Sequence, residues 1–153
     1  MTASTLHTTP RTPSRVQTSN TAQGLLLLRV ALGVMYLAHA GLKFFVFTLP
    51  GTAQFFAGQG LPGPLAYVVF AAEAVGGLLL MAGVYPRQVA LALVPILLGA
   101  AWVHAPNGWV FNATGGGWEY PVFLAVVSVV QWLAGDGAGA LVRSERFTPG
   151  AMA

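Results

Sequence analysis

Residues 24–47, GLLLLRVALGVMYLAHAGLKFFVF, decide how this chain folds. The run is apolar over its whole length, yet it contains Arg29, His39 and Lys43. At 1.5 Å per residue it forms a helix of roughly 36 Å, which crosses a bilayer with some tilt. A charge inside a membrane helix costs at least ~2.5–3.5 kcal/mol. We therefore predict a membrane-spanning helix whose ionisable groups face other helices rather than lipid.

The composition extends this prediction to the whole chain. Of its 153 residues, 56% are apolar and only 7% are charged, against about 25% charged in soluble domains. So few charges cannot coat a soluble globule, which predicts an integral membrane protein. The chain contains no Cys, which excludes disulfides and thiolate metal sites. Its seven Lys and Arg residues are scattered and form no basic patch that suits nucleic acid.

Three further apolar segments predict an all-α, integral membrane four-helix bundle. The segment 48–60, TLPGTAQFFAGQG, is expected at the membrane interface. The Ser/Thr-rich start of the chain buries too little surface to fold and is expected to be disordered. The predicted organisation is a disordered N-terminal tail at 1–22, a membrane domain at 23–136 with spans at about 24–47, 62–83, 87–105 and 119–135, and a C-terminal tail at 137–153.

The positions of the basic residues predict the orientation. Four spans place both termini and the 84–87 turn on one side of the membrane. The loops at 48–61 and 105–118 contain no Lys or Arg. By the positive-inside rule, the N- and C-termini are cytoplasmic and the two loops face outward. The basic residues on the cytoplasmic side are Arg11, Arg15, Arg87, Arg143 and Arg146.

The charges of the first span are expected to form one stripe. Arg29 lies about 10 Å to the cytoplasmic side of the midpoint and Lys43 about 10 Å to the outer side. The two share a helix face within ~40°, and His39 is one turn from Lys43. Either charge could instead snorkel to the nearest headgroups. A lone His on an apolar helix is more often a satisfied core residue than a ligand.

Glu73 is the single acidic residue in the interior of a predicted span, since Glu119 stands at the first position of the fourth. An unpaired carboxylate at that depth is costly, so it should pair with Arg29 or His39, or be protonated. Two interpretations stay open. The carboxylate either forms a structural ion pair that fixes the register of the helices, or acts as a protonatable or ligand-polarising group.

Further polar residues collect where the third and fourth spans meet the outer loop. His104 and Glu119 are expected at a depth similar to that of Lys43, so a Glu119–Lys43 ion pair is a second expectation. His39 and His104 could ligate haem b, but their expected depths differ by about two turns. No metal site is expected, and no residue is identified as catalytic. The predicted intramembrane polar site, for a quinone or a proton, comprises Arg29, His39, Lys43, Glu73, His104 and Glu119, with an outer mouth lined by Tyr36, Asn107, Trp109, Trp118 and Tyr120.

Two motifs resemble those of a known family. RVALG at 29–33, followed by HAGLK at 39–43, resembles the first-helix motif of the DoxX family of small four-helix membrane proteins. EAVGGLLLMAG at 73–83 resembles the second-helix motif, and His104 is similar to a polar end of the third helix. The resemblance covers about 24–135. Ala40 departs from the family pattern, which often has Gly directly after the His.

The resemblance implies a multi-pass protein of the bacterial plasma (inner) membrane. The family includes subunits linked to quinone-dependent sulfur or thiosulfate oxidation and a subunit of a membrane-bound redox and detoxification complex. It therefore implies a quinone-linked subunit or partner of a membrane oxidoreductase. The expected partners are the lipid bilayer, other membrane or redox proteins, and further copies of the chain in a homo-oligomer. The alternatives are a non-catalytic membrane scaffold or assembly protein and a transporter of a small solute or proton.

Overall fold

The computed structural model describes residues 15–144, and of residues 15–18 it describes the backbone alone. A π-helical turn, Leu42–Val46, continues the first helix, and a 3₁₀ turn, Ala105–Asn107, follows the fourth. Over the described residues no strand occurs, apart from one isolated bridge between Val84 and Val142. The all-α prediction is confirmed. The helices are α1 (Arg15–Gly41), α2 (Leu49–Gly58), α3 (Leu65–Ala82), α4 (Pro86–His104) and α5 (Glu119–Ala134).

Three helical segments in the described part of the chain are long and apolar enough to cross a membrane. They are Ser19–Val46, Leu65–Ala82 and Pro86–Asn107. The apolar helix α5 is shorter, at 16 residues. Large apolar side chains point outward, with Leu27 exposed by 71% and Phe45 by 81%. Such a surface suits lipid rather than water, so the chain is a membrane protein. The fourth crossing and the orientation of the termini stay predictions.

Four of the helices form an antiparallel bundle, in which α1 and α4 each pack against both α3 and α5. The antiparallel direction of α1 and α3 follows from two contacts, because Arg29 lies against Gly83 while Lys43 lies against Glu73. The core between the helices consists mainly of aliphatic side chains. Its buried members are Leu32, Tyr36, Leu80, Ala90, Leu93, Leu97, Leu124 and Ala125.

The backbones of α1 and α3 touch at Gly33 and Gly77. A Cβ added at Gly33 would lie 2.8 Å from the Gly77 carbonyl oxygen, and one added at Gly77 would lie 2.9 Å from the Gly33 carbonyl oxygen. Only glycine permits such an approach, and small residues commonly mark helix contacts in membranes. This crossing fixes how far α1 can slide along α3, and it therefore sets which side chains meet on either side of it.

The turns at the α3–α4 end follow local sequence signals. Gly83 adopts a left-handed conformation with φ 72°, which glycine reaches without steric cost. The Val84 amide donates to the Leu79 carbonyl at 2.9 Å, closing α3 in a Schellman-type cap. Pro86 then occupies the first turn of α4. The amide hydrogen that proline lacks would have no partner within the helix at this position.

The expected N-terminal tail is too long by eight residues. The helix α1 begins at Arg15, so residues 15–22 are helical and continue the helix of the apolar run. The Ala22 carbonyl also accepts a hydrogen bond from the Ala138 amide at 2.8 Å, which ties this end of α1 to the chain after α5. The remainder of the predicted disordered tail, 1–14, lies outside the described residues.

The expected C-terminal tail also begins too early. The backbone after α5 turns back under the bundle, where Gly137 packs against the backbone of Leu25 and Leu26. The Val142 amide then donates to the Gly83 carbonyl at 3.0 Å. These contacts hold the segment up to Ser144 against the helix ends. Residues 145–153 of the predicted tail lie outside the described residues.

Two details of the first predicted span and its loop also differ. The α-helix stops at Gly41 and the π-helical turn follows, closed by a 2.9 Å bond from the Phe47 amide to the Leu42 carbonyl. The interface segment at 48–60 contains the helix α2. Its start is capped by the Thr48 hydroxyl, which accepts from the Gly51 amide at 3.2 Å, a stabilising signal at a helix N-terminus.

The glycine crossing predicts a position-specific loss of stability. Gly33→Ala places a Cβ against the α3 backbone, which cannot move as a side chain would, so we expect the free energy of unfolding to fall by about 1–3 kcal/mol. The matched control is Gly99→Ala in α4, where an added Cβ meets nothing within 4 Å. Denaturant titration in mixed micelles measures both variants, and equal stability of the two would contradict the crossing.

Candidate functional site

Lys43 and Glu73 form a salt bridge between the end of α1 and the middle of α3. The Lys43 Nζ donates to both carboxylate oxygens of Glu73, at 2.9 Å to Oε1 and 2.7 Å to Oε2. The side chains are 16% and 7% exposed, respectively. The predicted pairing of Glu73 with Arg29 or His39 is therefore wrong, because the flexible lysine side chain reaches the carboxylate first.

The helix geometry explains why these two side chains meet. Lys43 lies ten residues beyond the crossing at Gly33, and Glu73 lies four residues before Gly77 on the antiparallel helix. Helical side chains lean towards the N-terminus of their own helix. Lys43 therefore leans back towards the crossing, whereas Glu73 leans away from it. The two charged groups converge although their backbones lie at different depths.

His39 lies one turn before Lys43 and is held by its own helix. Its Nδ1 lies 2.7 Å from the Met35 carbonyl oxygen, so Nδ1 carries the hydrogen of that bond and Nε2 faces the other way. Among residues 15–144, Nε2 has no hydrogen-bond partner. The imidazole stacks on the Tyr120 ring of α5 with the ring centres 6.1 Å apart. His39 thus connects the end of α1 beside the salt bridge to Tyr120 of α5.

Arg29 lies at the opposite end of the bundle and does not take part in this cluster. Its side chain is 1% exposed. The guanidinium donates to the carbonyl oxygens of Asp136 at 2.9 Å and Ala138 at 3.3 Å, and it packs against Gly83. Arg29 therefore clamps the segment after α5 onto the bundle. The stripe expected from the sequence divides into two separate polar clusters because its members bind different neighbours.

His104 and Glu119 hold the loop between α4 and α5 instead of joining Lys43. The Phe111 amide donates to Glu119 Oε1 at 3.2 Å, so the expected Glu119–Lys43 ion pair is wrong. His104 Nδ1 lies 3.0 Å from the Gly115 carbonyl oxygen. Many backbone groups of this glycine-rich loop have no helical partner, and the nearby polar side chains form hydrogen bonds with them.

The residues predicted to line the outer mouth lie in two different parts of the structure. Asn107 donates to the carbonyls of Gly115 and Gly116 at 3.0 and 2.9 Å and supports the loop. Trp109 and Trp118 pack edge to face in the same loop, with ring centres 4.4 Å apart. Tyr36 is 3% exposed and lies inside the bundle. The prediction that Tyr36 lines the mouth is wrong, because its hydroxyl is hydrogen-bonded to Ser128 of α5.

Two polar residues of α5 were not expected as part of any site. Ser128 and Gln131 are both 0% exposed. The Tyr36 hydroxyl lies 3.2 Å from Ser128 Oγ, and Gln131 Nε2 donates to the Gly135 carbonyl at 2.7 Å. The signal in the sequence is their spacing: they are the two polar residues of the apolar segment 121–134, three apart and so on one helix face.

The arrangement around Lys43 can bind a polar head group and can hold a proton. It offers the Lys43 ammonium, the His39 imidazole one turn earlier on the same helix, and the Glu73 carboxylate that α3 brings to Lys43. Over the described residues, no group of three His, Cys, Asp or Glu side chains is placed to hold a metal ion. The side chains around Lys43 can themselves donate and accept hydrogen bonds and exchange protons.

Comparisons with known proteins identify relatives of the chain. The DoxX family model matches residues 24–106. A Bacillus subtilis (strain 168) protein named "Putative oxidoreductase CatD" is 42% identical over 77 residues, which are 50% of this chain and 56% of that protein. The chain thus matches little more than half of the length of this relative. A Haemophilus influenzae (strain ATCC 51907 / DSM 11121 / KW20 / Rd) protein named "Uncharacterized protein" is 30% identical over 120 residues, 76% of this chain and 87% of its own. No solved structure matches the chain.

The Lys43–Glu73 pair predicts strongly coupled effects on stability. Lys43→Met leaves the buried Glu73 without its partner, so we expect the free energy of unfolding to fall by about 3–5 kcal/mol. In the double variant Lys43→Met/Glu73→Leu no charge is left unpaired, and we expect stability within about 1 kcal/mol of the wild type. Unfolding by detergent titration measures the cycle. Additive losses in the double variant would show that the two side chains are independent.

Proposed function

The chain belongs to the DoxX family of membrane proteins, and from this we propose that it is a quinone-linked subunit of an oxidoreductase complex in the bacterial plasma membrane. The observation that carries the proposal is the Lys43–Glu73 salt bridge beside His39. Two further facts support it: the name of the Bacillus subtilis relative includes the word oxidoreductase, and the polar cluster lies within segments long and apolar enough to cross a membrane.

The salt bridge is not needed to align the helices. The direct contact of Gly33 with Gly77 already fixes the register of α1 on α3. A buried ion pair loses its hydration and is often no more stabilising than apolar residues of the same size. A buried pair that the fold does not require is better explained by a ligand or a proton, as intramembrane ionisable groups generally are.

The groups of this cluster fit a quinone head group. Lys43 offers a hydrogen-bond donor for a quinone carbonyl oxygen, and His39 Nε2 offers an acceptor for a quinol hydroxyl. Glu73 offers a carboxylate that can hold a proton, and Tyr120 offers an aromatic face. A bound quinone supplies the electron-accepting or electron-donating chemistry that these side chains lack. The chain's own residues would orient the head group and exchange protons with it, with His39 Nε2 and the Glu73 carboxylate as the exchanging atoms.

The proposed topology has four crossings with both termini in the cytoplasm. The helix α5 would be the fourth, at about 24 Å from 1.5 Å per residue, which suits a locally thinned bilayer. The Arg29 end then faces the cytoplasm, and the cluster around Lys43 lies in the outer half. Since the chain has no Cys, a quinone would exchange electrons with another membrane or redox subunit of the complex. Further copies of the chain could form part of that assembly.

A scaffold or assembly protein is the second candidate function. It is favoured by the complete pairing of Glu73, whose two carboxylate oxygens both accept from Lys43. A carboxylate that is already satisfied needs no further ligand. Under this alternative, the apolar double replacement of the pair leaves a protein that still folds and still binds its partner proteins.

Purification from native membranes in mild detergent tests the proposal. We expect an isoprenoid quinone in the lipid extract of the wild type. Glu73→Gln removes a charge-assisted contact of about 1.5–3 kcal/mol, so we expect quinone affinity to fall roughly 10- to 100-fold. The matched control is Glu119→Gln, which alters a carboxylate that binds the loop backbone. Wild-type protein without quinone, together with unchanged quinone-linked activity in Glu73→Gln membranes, would contradict the proposal.

A further inference from the structure

The interface between α1 and α5 contains a row of buried polar side chains. We call Arg29, Tyr36, Ser128 and Gln131 the polar seam. Their exposed fractions lie between 0% and 3%. The Tyr36 and Ser128 hydroxyls are bonded to each other at 3.2 Å. Polar groups at this depth are costly in a membrane protein, so four of them along one interface require an explanation.

The polar seam has more hydrogen-bonding capacity than its own residues satisfy. Among the described residues, Arg29 Nε and Gln131 Oε1 are buried without a hydrogen-bond partner. So is Oδ1 of Asp136, whose backbone carbonyl binds Arg29. An unsatisfied buried polar atom costs about 1–3 kcal/mol. Helix packing alone would be served by apolar residues, or by the Tyr36–Ser128 bond without the other groups. Water is small enough to bind such atoms in a protein interior.

The seam ends at the salt bridge described above. Tyr36 lies three residues beyond Gly33, and Glu73 lies four residues before Gly77 on the antiparallel helix. The two residues are therefore at nearly the same depth, within about 1.5 Å along the bundle axis. The Glu73 carboxylate is also close enough to act electrostatically on the Tyr36 hydroxyl. At the other end, Asp136 belongs to the segment that Arg29 clamps under the bundle.

We propose that the polar seam is a water-assisted proton path from the Arg29 end of the bundle to Glu73. Arg29 Nε and Gln131 Oε1 hold water and do not themselves change protonation. An excess proton that this water carries from the Arg29 end binds the Ser128 oxygen, and the carrying water is left neutral. The Ser128 proton then passes to Tyr36 along their hydrogen bond, and the Tyr36 proton passes through a further water to the Glu73 carboxylate. Each hydroxyl ends with one proton, and Glu73 gains one. The same steps in reverse release a proton.

This path rests on the proposed function, because it gives protons consumed or released beside Lys43 a route to the opposite side of the bundle. It also makes a claim that does not need a quinone. Water must reach Ser128 and Gln131 from the Arg29 end, and it must not reach the residues that α5 turns towards lipid. Hydration of the seam can therefore be measured separately from any redox activity.

Single cysteines measure this hydration, since the chain has none of its own. Ser128→Cys and Gln131→Cys place a thiol in the seam. Val126→Cys and Val130→Cys place one at similar depth on the exposed apolar face of the same helix. Silver ion, which is close to water in size, is applied to sealed vesicles of either orientation. Leu141→Cys marks the Arg29 end and Asn112→Cys marks the opposite end. Thiols left unreacted are counted by maleimide after unfolding.

We expect both seam cysteines to react from the side marked by Leu141→Cys, at least about tenfold faster than the two lipid-facing cysteines, because thiolate forms only where water is present. Equal rates at the four positions, or reaction of the seam from the Asn112 side alone, would overturn the path. Ser128→Cys changes a single atom, so it decides the result if Gln131→Cys does not fold.

A second measurement examines proton movement in the full chain. Tyr36→Phe and Ser128→Ala interrupt the hydroxyl pair, and we expect the rate of proton uptake from the Arg29 side during quinone-linked turnover to fall at least about tenfold, with quinone binding unchanged. Unchanged uptake in both variants would overturn the path. If the seam cysteines react as expected and no quinone is found, the proposed function fails while the hydrated seam stands. If a quinone is bound but the seam cysteines do not react, the proton path fails while the proposed function stands.

Discussion

The direct contact of the Gly33 and Gly77 backbones is the constraint on which the rest of the bundle depends. The carbonyl oxygen of each glycine lies within 3 Å of the position that a Cβ atom on the other glycine would occupy. Because the helices cannot approach in this way with any larger residue, the crossing has one position and one register. Measured from that point, Lys43 and Glu73 converge on one side, and Arg29 reaches Gly83 and the segment after α5 on the other.

The two ends of the bundle consequently have different roles. At one end, Arg29 donates to backbone carbonyls and holds the chain closed beneath the helices. At the other, Lys43 and Glu73 satisfy one another beside His39, whose outer nitrogen is without a partner among the described residues. A charge bound to backbone carbonyls stabilises the fold, whereas a pair of titratable side chains next to an imidazole can exchange protons. The proposed function and the proton path both begin from this difference.

Much of the fold was predictable from the sequence. Apolar runs located the helices, and Gly83 with Pro86 marked the turn between two of them. The site was harder, because spacing on one helix places Arg29 and Lys43 on a common face but does not say what each contacts. Arg29 binds carbonyls of a segment more than a hundred residues away, and Glu119 binds the loop. Ser128 and Gln131 could have been noticed by their spacing. The partner of Ser128 is Tyr36 of α1, which the sequence of α5 does not contain, whereas Gln131 bonds Gly135 at the end of its own helix.

The distance between the Lys43 ammonium and the Glu73 carboxylate tests the central claim most directly. Lys43 is the single lysine in the chain, so ¹⁵N-lysine labels one side-chain nitrogen, and ¹³C-glutamate supplies the carboxyl carbons. Solid-state NMR in lipid bilayers then measures their dipolar coupling. With Nζ at 2.7 and 2.9 Å from the two oxygens, the account predicts strong coupling to one ionised carboxylate, which Glu73→Gln removes. A lysine nitrogen without coupling to any glutamate carboxyl would contradict the account.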